Sequence, residues 1–401
     1  MREVASPIVS GIAAGGSVVR QLRLEGFRGY ASADLAFGDG PQLVWGPNAS
    51  GKTSLLEAIV VLAWGRSHRT STDTELVRWG GDVARIVGDV ADEDRHEQVE
   101  VALARAGSGV RKRIRVNGVP RRAAMLASVL RVVVFAPEEM LLVVGPPSLR
   151  REALDRLAGQ RSPAYLADLS TYGRALAQRN ALLRAIREAE EPDRPSLREQ
   201  LRLWDPPFLE AGFAVVAARL ALLAELAAPV AAAHAEIAPE EAGEGALSLR
   251  YVSNASAAPG EDVRAALVRR LAETADKEVW NGTTLVGPHR DDIAFDLAGR
   301  DLASFASRGQ QRTAILAFKL AEVDVLTAHD GRRPLLLLDD VFSELDPERR
   351  AHLVRRIADL PQAFVTTTTL EDLDPGLRRA GIPWRVTAMP AGASIDRAAS
   401  G

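Results

Sequence analysis

Alternation of apolar and polar residues predicts β-strands in the first third of the chain. Leu22 and Leu24 have the period-two spacing of a strand with one buried face. Three later segments alternate in the same way: residues 85–90, 97–103 and 111–116. Asn117 and Gly118 follow the last of these segments, and this dipeptide is typical of a tight hairpin turn. The pattern therefore predicts an antiparallel β subdomain.

Short apolar runs and helical periodicity predict the other elements. Four runs without alternation are typical of buried strands: residues 42–45, 131–135, 335–338 and 364–368. Leu55, Ala58 and Leu62 mark one face of a helix. Apolar residues at helical spacing recur from 163 to 275, with a charged, proline-containing break at 188–195. We therefore predict an α/β protein with an inserted α-helical domain.

Composition excludes some classes of protein. The 401 residues include no cysteine, which excludes disulfides, zinc ribbons and thiol catalysis. The net charge of −3 argues against a uniformly basic nucleic-acid binder but allows a local basic face. No run in the sequence approaches the ~20 apolar residues that a membrane span requires, so no membrane association is expected.

The strongest motif lies between a predicted strand and a predicted helix. Residues 46–53 are Gly-Pro-Asn-Ala-Ser-Gly-Lys-Thr and match the phosphate-binding loop G-x-x-x-x-G-K-[ST]. Backbone N–H groups of such a loop surround phosphate oxygens. We expect Lys52 to reach the β- and γ-phosphates and the Thr53 hydroxyl to bind Mg²⁺. The predicted nucleotide-binding residues are Gly46, Pro47, Asn48, Ala49, Ser50, Gly51, Lys52, Thr53 and Ser54.

Two adjacent acids, Asp339 and Asp340, follow the apolar run at 335–338. Ligands of open α/β sheets bind at the carboxyl ends of the strands, where these acids are expected to lie. We predict that Asp339 holds Mg²⁺ through water and that Asp340 polarises the attacking water. Asp340 and Lys52 are thus the candidate catalytic residues. Without the phosphate-binding loop, two solvated carboxylates at a strand end would be the competing interpretation.

A third element begins at Ser307 and also includes Gly309 and Gln310. These residues open a segment with helical spacing, and the N–H groups at a helix start can bind phosphate. The same pattern is common as a plain helix N-cap. Its position about 30 residues before Asp339 makes it more specific.

With these three elements, the sequence resembles the ABC-type ATPase heads of the structural-maintenance-of-chromosomes superfamily. The resemblance runs from about Leu22 to Thr369. It also rests on residues 24–30, 135–138, 145–155, 178–180, 338–346 and the string Gly-Pro-His-Arg-Asp-Asp at 287–292. The sequence departs from the family at Gly29, where Asn is common. After residue 365 it has a Thr run in place of the His of transporter ATPases, which suggests slow hydrolysis.

The resemblance implies an ATPase head that is interrupted by the helical insertion. The residue patterns add a disordered extension (1–18), the helical insertion (163–275) and a flexible tail (389–401) that is rich in small residues. The two halves of the head are then 19–162 and 276–388. The implied cofactors are ATP and Mg²⁺, and the implied activity is weak, DNA-stimulated ATP hydrolysis.

The resemblance also implies an ATP-dependent homodimer with shared sites. In such heads the Ser-x-Gly-Gln element of one subunit packs on the γ-phosphate bound by a second, so Ser307, Gly309 and Gln310 would act in trans. Ser343 and Asp346 resemble the D-loop along the dimer seam. Arg28 resembles an arginine that touches the phosphates, although it is also compatible with a plain surface position on a strand.

DNA is the implied macromolecular partner. The family resemblance suggests a cytoplasmic, nucleoid-associated repair and replication protein that binds double-stranded and gapped DNA. It would assist recombinase loading on single strands, with RecO- and RecR-like mediator proteins as partners. The residues themselves offer one local basic cluster: Arg111, Lys112, Arg113 and Arg115. This cluster is a candidate for DNA phosphate contacts, and a solvated charged hairpin is an equal alternative.

Three other functions compete with this interpretation. About 290 residues separate the phosphate-binding loop from Asp339, more than the ATPase subunit of a transporter requires. The short insertion and the lack of cysteine for a metal hook oppose a chromosome-tethering protein with long arms. A nonhydrolysing, ATP-gated scaffold fits the same motifs. His289 and Arg290 are either structural residues or part of an interface.

Overall fold

The computed structural model describes residues 15–243, 245–258, 260–389 and 392–398. These residues form two compact units. Unit 1 comprises Met1–Phe135 and Thr327–Gly401, and unit 2 comprises Ala136–Leu326. Unit 2 is larger than the predicted insertion at 163–275, because residues on both sides of that segment pack with its helices. The predicted extension at 1–18 lies mostly outside the described residues, but Gly16 already bridges Arg333 and Val18 begins the first strand.

Unit 1 contains the predicted antiparallel β subdomain as a six-stranded sheet in the order β2-β1-β4-β5-β6-β7. Its strands are β1 (Val18–Phe27), β2 (Tyr30–Ala36), β4 (Val83–Ala91), β5 (His96–Ala106), β6 (Gly109–Val116) and β7 (Val119–Pro120). Leu24, Ile86 and Val101 are paired across neighbouring strands and are all buried. The apolar positions of the alternating pattern therefore form one packed face.

A second, mostly parallel sheet of unit 1 has the order β15-β14-β3-β13-β12-β8. Its strands are β3 (Gly40–Trp45), β8 (Val132–Phe135), β12 (Leu335–Asp339), β13 (Gln362–Thr367), β14 (Ile382–Met389) and β15 (Gly392–Arg397). The four apolar runs of the sequence become β3, β8, β12 and β13, which are neighbours. Because these strands are parallel, their carboxyl ends share one edge of the sheet.

Three helices of unit 1 accompany these sheets: α1 (Lys52–Trp64), α10 (Pro347–Ala358) and α11 (Pro375–Ala380). Helix α1 follows β3 directly after the phosphate-binding loop. It packs against β4 at Gly88, where an added Cβ would lie 2.4 Å from Leu62 Cδ1. The glycine therefore lets the helix approach the antiparallel sheet closely.

The prediction of a flexible tail at 389–401 was wrong for residues 392–397, which form strand β15. Its residues pair antiparallel with β14, and the buried Ile395 lies opposite Val386. The small residues of the tail suggested disorder, but they allow this strand to lie close to its neighbours. Residues 390, 391 and 399–401 lie outside the described part of the chain.

Unit 2 is dominated by helices, as the spacing predicted. They are α2 (Leu141–Val144), α3 (Pro147–Arg161), α4 (Pro163–Glu188), α5 (Arg194–Ile237), α6 (Pro239–Ala242), α7 (Val263–Asn281), α8 (Leu302–Phe305) and α9 (Arg308–Asp330), whose last four residues belong to unit 1. A small antiparallel sheet adds β9 (Leu247–Val252), β10 (Asp292–Leu297) and β11 (Arg300–Asp301). Strand β9 lies within 163–275, so the predicted helical insertion also contains a β-strand.

Helix α5 corrects a second expectation. By length and composition it is apolar enough to cross a membrane, although no such run was expected. Within unit 2 it packs against α4, α7 and β9. The buried Arg219 of this helix pairs with Asp155 of α3 at 2.8 Å. In unit 2 this segment is thus a helix with one packed side, on which the buried Arg219 forms an ion pair.

Candidate nucleotide-binding site

The phosphate-binding loop connects β3 to α1 in a left-handed backbone conformation. Gly46, Ala49 and Gly51 have φ angles of 154°, 61° and 116°. The two glycines adopt such angles without strain, whereas Ala49 lies in a left-handed region that non-glycine residues seldom occupy. A Cβ on Gly46 would lie 2.2 Å from Val386 O, so no larger residue fits there. Ser50 Oγ is buried without a hydrogen-bond partner among the described residues. The loop therefore has a polar group available for a phosphate oxygen.

Lys52 lies inside this loop. Its Nζ donates to Gly46 O at 2.7 Å and to Pro47 O at 2.9 Å. Burial lowers the pKa of Lys52, and the charges of Asp340 and Asp339 oppose that change. The lysine and both acids thus interact across one small region, at the shared carboxyl edge of the parallel strands.

The two acids are held by Thr366 at the end of β13. Thr366 Oγ1 donates to Asp339 Oδ1 at 2.6 Å and accepts from the backbone N–H of Asp340 at 2.9 Å. Asp339 is buried, and Asp340 has a φ angle of 53°. The hydrogen bond from Thr366 occupies only one of the acceptor positions of the Asp339 carboxylate, so the others can still bind a cation. Sequence reasoning noted the Thr run but missed this contact.

A metal ion at this site would depend on few protein groups. The described residues contain no group of three or more His, Cys, Asp or Glu side chains that could hold a metal ion. Thr53 at the start of α1 and Asp339 at the end of β12 supply only oxygen atoms. Mg²⁺ usually takes one or two such protein ligands and completes its shell with phosphate oxygens and water. The donor set therefore fits nucleotide-bound Mg²⁺.

Arg28 forms an ion pair with Glu57, a residue that was not predicted from the sequence. Its guanidinium makes two hydrogen bonds to Glu57 of α1, at 2.6 and 2.8 Å. Ser67 also donates to Glu57, and Arg69 lies 3.5 Å from it. Burial alone would raise the pKa of Glu57, but the hydrogen bonds and arginine charges lower it overall. The phosphate role of Arg28 stays a prediction. The detectable signal was a charged residue, Glu57, within an apolar helix.

Strand β15 covers the other side of the loop. The N–H of Ala393 donates to Gly29 O at 2.8 Å. A Cβ on Gly51 would lie 3.0 Å from Ala393 Cβ and 3.2 Å from the Tyr30 hydroxyl. Tyr30 in turn donates to Gly51 O. The C-terminal strand therefore belongs to the wall of the nucleotide site.

In unit 2, Ser307 and Gln310 cap helix α9 reciprocally. The N–H of Gln310 donates to Ser307 Oγ at 3.2 Å, and the N–H of Ser307 donates to Gln310 Oε1 at 3.0 Å. This is the capping-box arrangement, which satisfies N–H groups at a helix start. Ser307 and Gly309 are exposed. The element thus has its helix-start geometry, and its action in trans stays a prediction.

The predicted D-loop residues Ser343 and Asp346 follow the second acid in unit 1. Ser343 Oγ donates to Asp340 O at 2.9 Å. Asp346 accepts from the N–H of Arg349 and caps α10. Both side chains have local structural partners, and their position on a dimer seam stays a prediction.

With this geometry established, comparison with known proteins gives the family. The model of the RecF/RecN/SMC N-terminal domain matches residues 18–382. DNA replication and repair protein RecF of Symbiobacterium thermophilum is 42% identical over 358 residues, which cover 88% of this chain and 92% of the relative. The chain belongs to the RecF family.

Further RecF proteins extend the match. The Bacillus subtilis RecF is 37% identical over 369 residues, which cover 91% of this chain and 97% of that protein. A solved structure described as the recombination mediator protein RecF-ATP in the RecFOR pathway superposes with a TM-score of 0.84. It is 28% identical and covers 98% of this chain and 100% of its own. This RecF family member therefore has the same fold as a relative whose structure is described with ATP.

The side chains of residues 287–292 form hydrogen bonds and an ion pair with several other elements of unit 2. Asp291 is buried and accepts from the Tyr251 hydroxyl at 2.6 Å, and Asp292 forms a two-bond ion pair with Arg150. His289 Nδ1 lies 2.5 Å from the Tyr172 hydroxyl and its Nε2 lies 3.2 Å from Thr284 O. These contacts give the most distinctive string of this RecF family member a structural role.

The basic cluster is divided between the two faces of the antiparallel sheet. Arg111, Arg113 and Arg115 alternate along β6 and are exposed. Lys112 lies on the opposite face, where it pairs with Asp73 at 2.7 Å. The three arginines therefore form one surface and Lys112 does not belong to it. Their contact with DNA stays a prediction.

Proposed function

We propose that this chain is an ATP-dependent DNA-binding protein of replication and repair. It dimerises on ATP, binds double-stranded and gapped DNA, and assists the loading of recombinase on single strands. The observation that carries the proposal is the meeting of Lys52 with Asp339 and Asp340 at one sheet edge, next to a phosphate loop with an unpartnered buried hydroxyl. Family membership supports the DNA-repair part of the proposal.

ATP hydrolysis would use the side chains at this edge. Lys52 exchanges its present acceptors, Gly46 O and Pro47 O, for the β- and γ-phosphate oxygens. Thr53, and Asp339 through water, would hold Mg²⁺, which would supply positive charge beside the phosphates. Asp340 orients the attacking water, and Thr366 keeps both acids in place. We infer a weak, DNA-stimulated ATPase.

Dimerisation would use the exposed start of α9. Ser307 and Gly309 of one copy contact the γ-phosphate that is bound by a second copy, with Gln310 beside them. A nucleotide can shift a monomer–dimer equilibrium only through contacts that differ between the two states. The γ-phosphate supplies such contacts, so ATP favours the dimer and hydrolysis releases it.

The proposed setting is the cytoplasm, in association with the nucleoid. The solved relative is described as a mediator in the RecFOR pathway, which supports RecO- and RecR-like proteins as partners of this chain. DNA would lie along the surface of Arg111, Arg113 and Arg115, in a sequence-independent mode that depends on salt.

Sizing the protein in saturating ATP and Mg²⁺, with and without gapped duplex, tests this proposal. The parent is compared with Lys52→Ala and Ser307→Arg. The expected result is an ATP-dependent dimer for the parent only. A parent that stays monomeric under these conditions contradicts the shared site.

Phosphate release measured with DNA present separates an ATPase from an ATP-gated scaffold. Asp340→Asn should still dimerise in ATP but lose hydrolysis, because only the water-orienting group has changed. Turnover of the parent that equals the Lys52→Ala background would favour the scaffold.

A further inference from the structure

A tryptophan in unit 1 is left almost entirely in solvent. Trp79 is 98% exposed. It lies at the second position of a turn that is closed by a hydrogen bond from the Gly81 N–H to Arg78 O at 2.9 Å. Gly80 at the third position has a φ angle of 75°, which this kind of turn requires of glycine. The turn thus places a large aromatic ring at its corner.

This turn is anchored rather than loose. The N–H of Arg78 donates to Gly26 O at 2.8 Å. On the other side, the Arg105 backbone N–H donates to Asp82 O at 2.8 Å, and Arg105 Nε donates to Gly81 O at 2.9 Å. Fixed hydrogen bonds on both sides mean that the ring is presented at a defined place. Exposed aromatic residues in defined positions are typical of binding surfaces.

The strand that follows the turn leads onto a positively charged face. Val83 of β4 pairs with Ala104 of β5, which pairs with Arg111 of β6. In the next row Arg85 pairs with Ala102, which pairs with Arg113. We call Arg85, Arg111, Arg113 and Arg115 the arginine face. The alanines between them leave room for a ligand to approach the sheet.

The arginine face carries more positive than negative charge. Glu100 lies 3.0 Å from Arg85 and 3.8 Å from Arg115, and Glu25 lies 3.8 Å from Arg85. Arg111 and Arg113 have no acidic partner in the part of the chain that the structure describes. The face is thus locally positive, although the whole chain has a net charge of −3. It is complementary to a polyanion.

We propose that Trp79 stacks on an unpaired base of a DNA whose sugar-phosphate backbone follows the arginine face. This inference rests on the proposed DNA binding and adds which DNA structure the surface selects. An indole can stack only on a base whose face is open, and the bases within a duplex are covered by their neighbours. Stacking platforms beside a basic groove are the general mode of single-strand binding. Trp79 therefore favours gaps and single-stranded junctions over intact duplex.

Binding of two labelled DNAs tests this proposal: a blunt duplex and a gapped duplex of equal length, in ATP and Mg²⁺. Trp79→Ala should weaken binding to the gapped duplex by at least about fivefold, since one stacked base contributes ~1–3 kcal/mol. Binding to the blunt duplex should not change. Trp79→Phe should restore most of the loss. Arg111→Ala with Arg113→Ala should weaken binding to both DNAs.

Trp280 provides a matched control because it is an 82% exposed tryptophan of unit 2. Trp280→Ala should bind both DNAs as the parent does. Equal gapped-duplex binding by Trp79→Ala and the parent overturns the inference alone. A parent that binds neither DNA overturns the proposed function as well. Loss of affinity for a fluorescent ATP analogue in Trp79→Ala, with DNA binding intact, assigns the ring to the nucleotide and also overturns the inference.

Discussion

Thr366 makes a hydrogen bond to each of the two acids of the nucleotide site. Its hydroxyl donates to Asp339 and accepts from the N–H of Asp340. Thr366→Val keeps the shape but removes both hydrogen bonds. We expect ATP turnover to fall about tenfold or more, the usual cost of losing a group that orients a metal ligand. Steady-state kinetics with an Mg²⁺ titration checks this, and Thr366→Ser should remain active. Unchanged turnover in Thr366→Val would show that the contact has no role.

We expect the stability of unit 2 to depend on pH through His289. Burial lowers its pKa to about 4. The neutral ring fits its partners, because Nε2–H can donate to Thr284 O while Nδ1 accepts from Tyr172. Between pH 6.5 and about 4 the unfolded state takes up a proton on this histidine and the folded state does not. The folded state therefore loses stability as the pH falls through that range.

Denaturant unfolding between pH 7 and pH 4 measures this effect. The parent should lose up to about 3 kcal/mol more than His289→Gln over that range, at 1.36 kcal/mol for each unit of pKa shift. His289→Gln should be less stable at pH 7 and show a shallower pH dependence. Parallel profiles for the two proteins would contradict the assignment.

The residues of the site differ in how far the sequence could predict them. Lys52 and Asp339 belong to local motifs whose chemistry fixes their spacing, so they could be identified directly. The Arg28–Glu57 pair and the Thr366 contacts join residues 26 to 29 positions apart on different elements. Such contacts depend on the sheet order, which the alternation of residues does not contain.

At the scale of elements, Ser307 has two roles at the start of helix α9 that mutations can distinguish. It caps the helix, and it is predicted to contact the γ-phosphate bound by a second copy. Ser307→Asp keeps a good N-cap residue but places a negative charge where the γ-phosphate of another copy is proposed to lie. We expect normal thermal stability and no ATP-dependent dimer. Ser307→Ala should instead lose about 1 kcal/mol of stability through the cap. Calorimetry and light scattering in ATP measure the two properties. A dimer of Ser307→Asp in ATP would contradict the trans role.

Strands β9 and β15 were not predicted from the sequence, for different reasons. Strand β9 is a short alternating segment between long helical ones, and it is recognisable only because Leu247 and Leu249 pair with Leu297 and Phe295 of β10. Apart from Ile395, strand β15 consists of small and charged or polar residues, a composition that is typical of disordered tails. Its order comes from pairing with β14 and from the contact of Ala393 with Gly29. Both depend on a partner strand rather than on their own pattern.

At the scale of the whole chain, the parallel sheet draws on both ends of the sequence. Val134 of β8 pairs with Leu337 of β12, and Leu43 of β3 pairs with Val365 of β13. The buried character of each strand was predictable, and so was the meeting of loop and acids at the carboxyl edge. The order of the strands was not, because long-range pairing leaves little trace in a single sequence.

The overall charge of the chain leads to a prediction about how DNA affinity depends on salt. With a net charge of −3, the molecule as a whole repels a polyanion, so attraction must come from local cations such as Arg111 and Arg113. Each phosphate contact releases counterions, and the affinity then falls with salt. Removing both arginines should reduce the slope of log affinity against log salt by about two. Titrations of duplex DNA at several salt concentrations measure this slope. Lysine at both positions should keep it, and an unchanged slope in the double alanine variant would place the DNA on another surface.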